Sequence, residues 1–299
     1  MRKGVLITGA SSGIGLETAL HLAQHGHNVY ASVPDPSHLQ ALEEEAKDRE
    51  IRLTSLVMDV TDTQGIESAV ETVVRESGGI YGLLNNAGLG LRGFFEDLSD
   101  HEIRELFNVN VFGVMAVTRA VLPHMRRARE GRILIMSSAG GRIAATTISA
   151  YCAGKFAVEG FGEALALETA PLGLHVSLIE PGLVRTPHFT VNRGQAKASI
   201  DPSSPYHEWF VQNETMIDGI LDKNRIRPSD VAKTVRNALE AKKPRLRYVV
   251  GWRAKLLISL RRHLPGEWFD RVYSRGVQRK LARLGISVEE PPPSSASGV

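Results

Sequence analysis

The sequence predicts an α/β fold with one doubly wound parallel sheet that carries helices on both faces. Short apolar runs alternate repeatedly with amphipathic stretches over roughly the first 250 residues. These runs are apolar throughout, which is typical of parallel strands covered on both faces. The chain has 299 residues, of which 42% are hydrophobic and 23% are charged. Those values suit a globular protein with a sizeable core and exclude global disorder.

The strands and helices are predicted to alternate in chain order. The strand candidates are "GVLITG", "HNVYASV", "RLTSLVMDV", "IYGLLNNAG", "GRILIMSS", "LHVSLIEPG" and "RYVV". The helix candidates cover 14–26, 37–50, 63–77, 101–127, 149–173 and 229–243. In the first helix, apolar residues recur at helical spacing and Gly26 closes the pattern. We expect 101–127 to form one long helix.

The pattern weakens after Pro187. Residues 188–209 are polar and rich in turn formers, which predicts a mobile loop. Two basic amphipathic stretches follow "RYVV", and the chain ends in "EEPPPSSASGV", whose composition predicts disorder. The expected division is a catalytic domain over 1–250, a helical extension over 251–286 and a disordered tail over 287–299.

The net charge of +3 conceals a strongly basic C-terminal segment. Between Lys242 and Arg283 lie 13 Lys and Arg residues but only two acids. Nucleic-acid binding is not expected, because these charges alternate with apolar residues and no recognised binding module is present. Two interpretations stay open: a cap over a substrate cleft with a solvated basic face, and peripheral contact of 251–283 with an anionic membrane.

Other features of the sequence bear on location and metal binding. The single cysteine, Cys152, excludes an intramolecular disulfide and fits a reducing compartment. The N-terminus is interpreted as a strand entering a glycine turn and not as a signal peptide. We expect a cytoplasmic protein, with membrane contact as the alternative. His21 and His25 lie four residues apart without a third ligand pattern, so no metal is expected.

Glycines and polar residues follow several strands where a dinucleotide would lie. "TGASSGIG" (8–15) departs from the usual G-x-G-x-x-G spacing, but it still offers a tight turn before a helix N-terminus. The alternative is a turn whose glycines serve geometry alone. Asp59 follows the third strand and is a candidate for an adenine amino group or for a simple turn. "NNAG" (85–88) follows the fourth strand, either as a ligand-binding edge or as a plain loop.

"YCAGK" places Tyr151 and Lys155 one helical turn apart on the same face. A nearby ammonium favours tyrosinate and lowers a tyrosine pKa, which suits acid–base chemistry. The alternative is an aromatic residue that only packs. Asn110 lies inside an apolar helix, where asparagine is disfavoured unless its side chain finds a partner.

Together these motifs resemble the short-chain dehydrogenase/reductase family. The resemblance covers roughly residues 4–190 and rests on "TGASSGIG", "NNAG", "NVNVFG", "SS", "YCAGK" and "PGLVRT", which occur in the family's order and spacing. "NAGLGLRGFF" and "LHVSLIEPG" are similar to the branch of 17β-hydroxysteroid and retinol dehydrogenases. The resemblance implies a Rossmann-like fold and the catalytic residues Asn110, Ser138, Tyr151 and Lys155.

The resemblance also implies a nicotinamide cofactor, a substrate loop over 188–225 and a homodimer or homotetramer built through 101–128 and 151–170. It implies that Asn110 holds a water on the proton path, that Ser138 donates a hydrogen bond to the substrate oxygen, and that Lys155 binds the nicotinamide ribose. Tyr151 and Lys155 count among the expected cofactor residues, with Gly9, Ser11, Ser12, Gly13, Ile14, Gly15, Val33, Asp59, Val60, Asn86, Ala87, Gly88, Pro181, Gly182, Val184 and Thr186.

The choice between the two nicotinamide cofactors depends on the end of the second strand. An acid there selects NAD by bonding the ribose 2′-OH. Val33 occupies that position, and Asp35 compensates only in part, so NADP(H) is favoured and NAD(H) stays open. We expect interconversion of a ketone and a secondary alcohol on a bulky lipophilic substrate. The alternative is a non-catalytic dinucleotide-binding sensor or scaffold.

Overall fold

A seven-stranded parallel sheet forms the centre of the protein. The computed structural model describes residues 3–186 and 194–283. The strands lie in the order β3-β2-β1-β4-β5-β6-β7, and every neighbouring pair is parallel. Their bounds are β1 Gly4–Ile7, β2 Asn28–Val33, β3 Thr54–Val57, β4 Ile80–Asn85, β5 Gly131–Met136, β6 Leu174–Pro181 and β7 Arg247–Val250.

Ten α-helices of the described residues surround this sheet. They are α1 Gly13–Gln24, α2 Leu39–Asp48, α3 Thr63–Ser77, α4 Asp100–Phe107, α5 Val114–Ala128, α6 Ser149–Thr169, α7 His207–Asp222, α8 Pro228–Glu240, α9 Trp252–His263 and α10 Gly266–Arg283. The alternation of strands and helices predicted from the sequence is confirmed, as is the Rossmann-like single domain.

The core has two layers, one on each face of the sheet. Helices α3, α5 and α6 bury residues such as Val73, Val117 and Val158 on one face. Helices α1, α2 and α8 bury Leu22, Leu42 and Val235 on the other, together with further apolar residues of the strands. The strands are apolar on both sides because both faces are covered.

The order of strands reverses between β1 and β4, and this reversal decides where a ligand binds. β1 lies between β2 and β4, so the connections after β1 and β4 leave on opposite faces of the sheet. Such a switch point opens a crevice beyond the carboxyl ends of the strands. The glycine turn, "NNAG" and Ser138 all follow strands at this edge.

The predicted helix over 101–127 is interrupted. A π-helical turn, Asn108–Gly113, separates α4 from α5, and such turns are frequently found at functional sites. By length and composition, Asp100–Ala128 is the one stretch of the described residues apolar enough to cross a membrane. Val117 and Val121 are fully buried against the sheet, and a core helix meets the same criteria.

The expected loop over 188–225 is a helix for much of its length. α7 spans His207–Asp222 and buries Phe210, which anchors the segment to the body of the protein. The polar stretch that predicted a loop was 188–209, which includes only the first three residues of this helix. Residues 187–193, the end of the predicted extension at 284–286 and the predicted tail at 287–299 lie outside the described residues.

Candidate active site and cofactor site

The glycine turn after β1 is pressed against the end of β4. Gly9 has φ +67°, and a Cβ there would lie 2.7 Å from the Cα of Ala87. A Cβ at Gly15 would collide with the carbonyl oxygen of Gly9. Side chains do not fit at these two positions, so the turn brings bare backbone to the crevice at the start of α1.

Thr8 and Asn86 join this turn to "NNAG". The Thr8 hydroxyl oxygen accepts hydrogen bonds from the backbone amides of Asn86 at 3.0 Å and Ala87 at 2.9 Å. The side-chain amide of Asn86 donates through Nδ2 to the backbone carbonyls of Thr8 at 3.0 Å and Gly9 at 2.9 Å. The two motifs lie more than 70 residues apart in the sequence, and these hydrogen bonds join them into one rigid edge.

A cavity of about 700 Å³ opens along this edge and fits an extended dinucleotide. The amides that begin α1 face an anion-binding position, because a helix N-terminus carries partial positive charge. Of the residues expected to bind the cofactor, Val33 alone does not line this cavity. The residues that do are Gly9, Ser11, Ser12, Gly13, Ile14, Gly15, Asp59, Val60, Asn86, Ala87, Gly88, Tyr151, Lys155, Pro181, Gly182, Val184 and Thr186.

Val33 is fully buried in the core, and its neighbour Pro34 lines the cavity instead. Val33, expected among the cofactor residues, therefore does not line the cavity, and its place at the end of β2 is the position where a selecting acid is absent. Asp35 accepts a hydrogen bond from the backbone amide of Ser37 at 2.8 Å, so its carboxylate caps a short turn. Asp59 accepts from the backbone amide and hydroxyl of Thr61, both at 2.8 Å, while still lining the cavity.

Ser138, Tyr151 and Lys155 meet at the inner end of the cofactor cavity. Ser138 follows β5, and its hydroxyl oxygen accepts from the amide of Gly140 at 3.0 Å. The Lys155 ammonium donates to the carbonyl of Met136 at 2.8 Å and lies 5.6 Å from the centre of the Tyr151 ring. Helix α6 therefore presents tyrosine and lysine to the end of β5, as their spacing predicts.

Burial controls the acid–base properties of this group. It raises the pKa of Tyr151, against opposing effects of a hydrogen bond from Ser138 and the charge of Arg92. The expected lowering by Lys155 is therefore not found in the protein alone. Burial lowers the pKa of Lys155 to about 8, while the charge of Glu159 acts in the opposite direction. The lysine stays mostly charged at neutral pH, and the tyrosine keeps its proton.

Asn110 lies in the π-helical turn and is fully buried. Its Oδ1 accepts from the amide of Leu89 at 2.7 Å, and its Nδ2 donates to the carbonyl of Leu89 at 2.8 Å. The side chain thus positions the loop that follows "NNAG", which explains an asparagine in an apolar helix. Asn110 does not line either cavity described here, and its water-holding role stays a prediction.

A second cavity, of about 410 Å³, adjoins the first. The two cavities share Gly90, Ser138, Tyr151 and Gly182. Apolar side chains form most of the second cavity's wall, and α7, α9 and α10 supply many of them, including Met216, Ile217, Ile220, Trp252, Leu257, Ile258 and Val277. The C-terminal helices thus cover a cleft next to the tyrosine.

Sequence reasoning missed two polar contacts beside this second cavity. Arg92 and Glu214 form a buried ion pair at 2.8 Å, with side chains 9% exposed. Thr147 has φ +61° and accepts from the Nδ2 of Asn213 at 2.9 Å. Both contacts tie α7 to loops that flank Tyr151. Their partners lie more than 60 residues apart, so no local pattern reveals them.

Two minor expectations concern histidine and cysteine. The rings of His21 and His25 lie 4.3 Å apart on the surface of α1. Within 3–186 and 194–283, no three His, Cys, Asp or Glu side chains are grouped so that they could hold a metal ion. Cys152 is a buried free thiol, and burial raises its pKa, so it is a packing residue and not a nucleophile.

The chain matches known proteins over most of its length. The family model described as short chain dehydrogenase matches residues 3–197. A 3-ketodihydrosphingosine reductase from Bacteroides thetaiotaomicron is 37% identical over 255 residues, which are 85% of this chain and 90% of the relative. Human 17-beta-hydroxysteroid dehydrogenase type 1 is 36% identical over 268 residues, covering 87% of this chain and 81% of that protein.

Solved structures have the same fold. A short-chain dehydrogenase from Streptomyces avermitilis has a TM-score of 0.75 at 30% identity, over 95% of this chain and 98% of that one. A metagenomic short-chain oxidoreductase in complex with NADP has a TM-score of 0.65 at 25% identity, over 83% and 96%. One from Burkholderia phymatum in complex with NAD has a TM-score of 0.76 at 23% identity, over 87% and 93%.

The glycine-lined crevice, the group around Tyr151 and the length of these matches lead to the same assignment. The chain belongs to the short-chain dehydrogenase/reductase family, in the branch that resembles 17β-hydroxysteroid and retinol dehydrogenases, and is an oxidoreductase that acts on CH–OH groups with a nicotinamide dinucleotide.

Proposed function

We propose that this protein interconverts a bulky lipophilic ketone and its secondary alcohol. One observation carries the proposal: Ser138 and Tyr151 lie where the dinucleotide-sized cavity meets the apolar cavity. A substrate in the apolar cavity therefore has its oxygen beside two hydroxyl groups and its reacting carbon beside the other cavity. Such an arrangement holds reactants close and oriented.

The nicotinamide, when bound, supplies or accepts the hydride. In reduction, Tyr151 donates its proton to the oxygen on which negative charge develops, and Ser138 donates a hydrogen bond to the same oxygen. The Lys155 ammonium then stabilises the tyrosinate, because opposite charges attract strongly at a buried site. In oxidation, Tyr151 takes the alcohol proton. Tyr151 must have lost its own proton to act as this base. Because burial raises the pKa of Tyr151, we expect a higher pH optimum for oxidation than for reduction.

The apolar cavity supports a lipophilic substrate. Its wall is mostly aliphatic and aromatic, and its 410 Å³ suits a ligand of steroid or long-chain size. The relatives named for 3-ketodihydrosphingosine and for a steroid act on lipophilic compounds, which agrees with this wall. The experiment measures reduction of a panel of ketones of increasing size, and the loss of NADPH absorbance reports the rate for each ketone. We expect kcat/KM to rise with apolar size, and a preference for small polar ketones would contradict the proposal.

We propose that NADP(H) is the favoured cofactor. No acid stands at Val33, and the carboxylate of Asp35 is turned into a cap. A 2′-phosphate therefore meets no acid at the last residue of the second strand, and the Asp35 carboxylate two residues further on is engaged by Ser37. The exposed residue that lines the cavity there is Pro34.

Substitutions at Pro34 are expected to switch this preference. Pro34→Asp should lower kcat/KM for NADPH about tenfold or more, because one like-charge contact costs at least ~1.4 kcal/mol. Pro34→Arg should raise it, and Pro34→Ala is the control for loss of the ring. Kinetics with NADPH and NADH in parallel measure the ratio. Equal effects of Asp and Arg on both cofactors would show that Pro34 does not face the 2′ position.

We propose that the protein is cytoplasmic and touches anionic membranes through 251–283. Large apolar side chains project from α9 and α10, with Trp252 and Trp268 each 68% exposed and Val272 64% exposed. The same two helices carry exposed basic residues, namely Arg253, Lys255, Arg261, Arg262, Arg271, Arg275 and Arg279. Exposed tryptophan beside clustered positive charge is typical of helices that lie in a lipid interface.

Vesicle flotation of the full chain tests this contact. We expect binding to phosphatidylserine-containing vesicles that weakens with salt, and little binding to pure phosphatidylcholine. Trp268→Ala with Val272→Ser should reduce binding about tenfold, given the apolar area withdrawn from lipid. Phe95→Ser is the matched control, because Phe95 is 67% exposed but lies on another element. Equal flotation of all three proteins would contradict the proposal.

We also propose a homodimer or homotetramer built through α4, α5 and α6. Phe112, in the π-helical turn between α4 and α5, is 58% exposed, and Phe156 and Leu167 on α6 are 42% and 76% exposed, which leaves large apolar side chains for a second copy to cover. Sedimentation analysis reports the oligomeric state directly.

A further inference from the structure

A cluster of three glutamates and two arginines lies behind the catalytic lysine. Glu159 follows Lys155 by one turn of α6, and Glu163 follows by another. Glu180 stands near the end of β6, Arg247 begins β7, and Arg142 follows the short turn after Ser138. The cluster therefore joins α6, β6, β7 and the turn after β5.

The arginines bridge the carboxylates. The Nε of Arg247 lies 3.0 Å from Oε2 of Glu159 and 3.4 Å from Oε1 of Glu180. Arg142 donates to Oε1 of Glu180 at 3.0 Å. Arg247 also donates to Glu163, whose side chain is 57% exposed and so stays hydrated. Glu159 and Glu180 are buried, at 5% and 0% exposure.

Each of the two buried glutamates keeps one bare oxygen. Oε1 of Glu159 and Oε2 of Glu180 are both inaccessible and have no hydrogen-bond partner among the described residues. A buried carboxylate with an unpaired oxygen is costly, and two neighbouring carboxylates cannot both ionise without further cost. A proton held on one of them removes most of this cost. The geometry therefore favours one proton and one negative charge on the pair.

Gly141 packs against both Lys155 and Glu159 of α6. A Cβ added at Gly141 would lie 2.9 Å from the Lys155 carbonyl oxygen and 3.1 Å from the Cγ of Glu159. Burial and the charge of Glu159 raise the pKa of Glu180 to about 7, so its proton is present near neutral pH. The charge of Glu159 raises the pKa of Lys155 against the effect of burial.

We propose that Glu180 keeps its proton near neutral pH, and that the negative charge of Glu159, one helical turn from Lys155, holds that lysine in its ammonium form. Both are positioning residues, because neither lines the cofactor cavity or the substrate cavity. The charged groups that face the pair are Lys155 and Glu163 on α6, Arg142 after β5 and Arg247 on β7. The effect on turnover rests on the proposed function, whereas the proton on Glu180 does not.

The titration is tested without any enzyme assay. A carboxyl whose pKa is raised in the folded protein stabilises the fold at low pH, and this contribution is lost as pH rises towards the folded value. The unfolding free energy of Glu180→Gln minus that of the wild type should therefore increase between about pH 4.5 and 7 and level off above it. Glu163→Gln, at an exposed carboxylate, should show no such rise.

Carbon-13 NMR of glutamate carboxyls in the wild type gives a second measurement that needs no variant. We expect one carboxyl to titrate near pH 7, and its signal should be missing in Glu180→Gln. If every glutamate carboxyl titrates below about pH 5, as in model peptides, the proton on Glu180 at neutral pH is disproved.

The link to Lys155 is tested by the pH profile of ketone reduction. Glu159→Gln should move the alkaline fall in kcat/KM to lower pH, since the lysine loses the charge that supports it. Glu163→Gln should leave that fall in place, and an unmoved fall in Glu159→Gln would disprove the link. Absence of turnover with any ketone would instead refute the proposed function, and the carboxyl titration would still be decided by NMR.

Discussion

Tyr151→Phe is expected to lower kcat for ketone reduction by about 10²–10⁴-fold, the range that a positioned proton donor contributes. Phenylalanine keeps the ring but removes the only hydroxyl that α6 brings to the junction of the two cavities. The dissociation constant for NADPH should change by less than about threefold, because most of the cofactor cavity is untouched. Stopped-flow turnover and cofactor fluorescence measure the two quantities on the same protein.

Tyr273→Phe is the matched control for this variant. Tyr273 also lines the substrate cavity, but its hydroxyl donates to the carbonyl of Ala144 at 3.0 Å. Its loss should therefore leave kcat within about threefold of the wild type. If Tyr151→Phe keeps full activity, or if both variants lose activity equally, Tyr151 is not the proton donor.

Lys155→Met is expected to lower kcat by about 10² or more, since methionine fills a similar volume without the charge that stabilises tyrosinate. In the wild type, kcat/KM for reduction should fall as pH rises through about 8, where the lysine loses its proton. The residual activity of the variant should lack this fall. The melting temperature should change by no more than a few degrees, because the variant loses one hydrogen bond, to the carbonyl of Met136, together with a charge that burial disfavours.

The pH profile of reduction and the thermal melt of the Lys155→Met variant together distinguish a lysine that acts through its charge from a lysine with a purely structural role. A lysine that only packs would leave the fall near pH 8 in the variant. A lysine that holds the fold together would lower the melting temperature along with the activity. Either result would contradict the charge-based role of Lys155.

Much of the fold follows from local patterns in the sequence. The strands are apolar runs bounded by turn residues, and parallel strands with intervening helices have few ways to assemble. Because their carboxyl ends meet at one edge, the glycine turn, Asp59, Asn86 and Ser138 had to converge there. Tyr151 and Lys155 needed only the helical period to share a face.

The errors have physical causes that a linear sequence does not display. Val33 and Pro34 are neighbours on a strand end, and alternation decides which one faces the cavity. The pKa of Tyr151 depends on how much water the folded protein removes from it, and the sequence does not measure that. α7 is held to the protein by Phe210 and by the Arg92–Glu214 pair, whose partners are remote in sequence.

Deuterium transfer tests the central claim that Tyr151, Ser138 and Lys155 form a working reductase site. In two separate reactions the enzyme is supplied with NADPH that carries deuterium at C4 on one face or on the other, together with a bulky lipophilic ketone. The alcohol product of each reaction is analysed by mass spectrometry, and the label from one of the two cofactors should be transferred. We predict deuterium on the carbinol carbon with the wild type and almost none with Tyr151→Phe under the same conditions. A wild-type protein that binds NADPH yet transfers no deuterium to any ketone in the panel would contradict the account and favour a non-catalytic dinucleotide-binding protein.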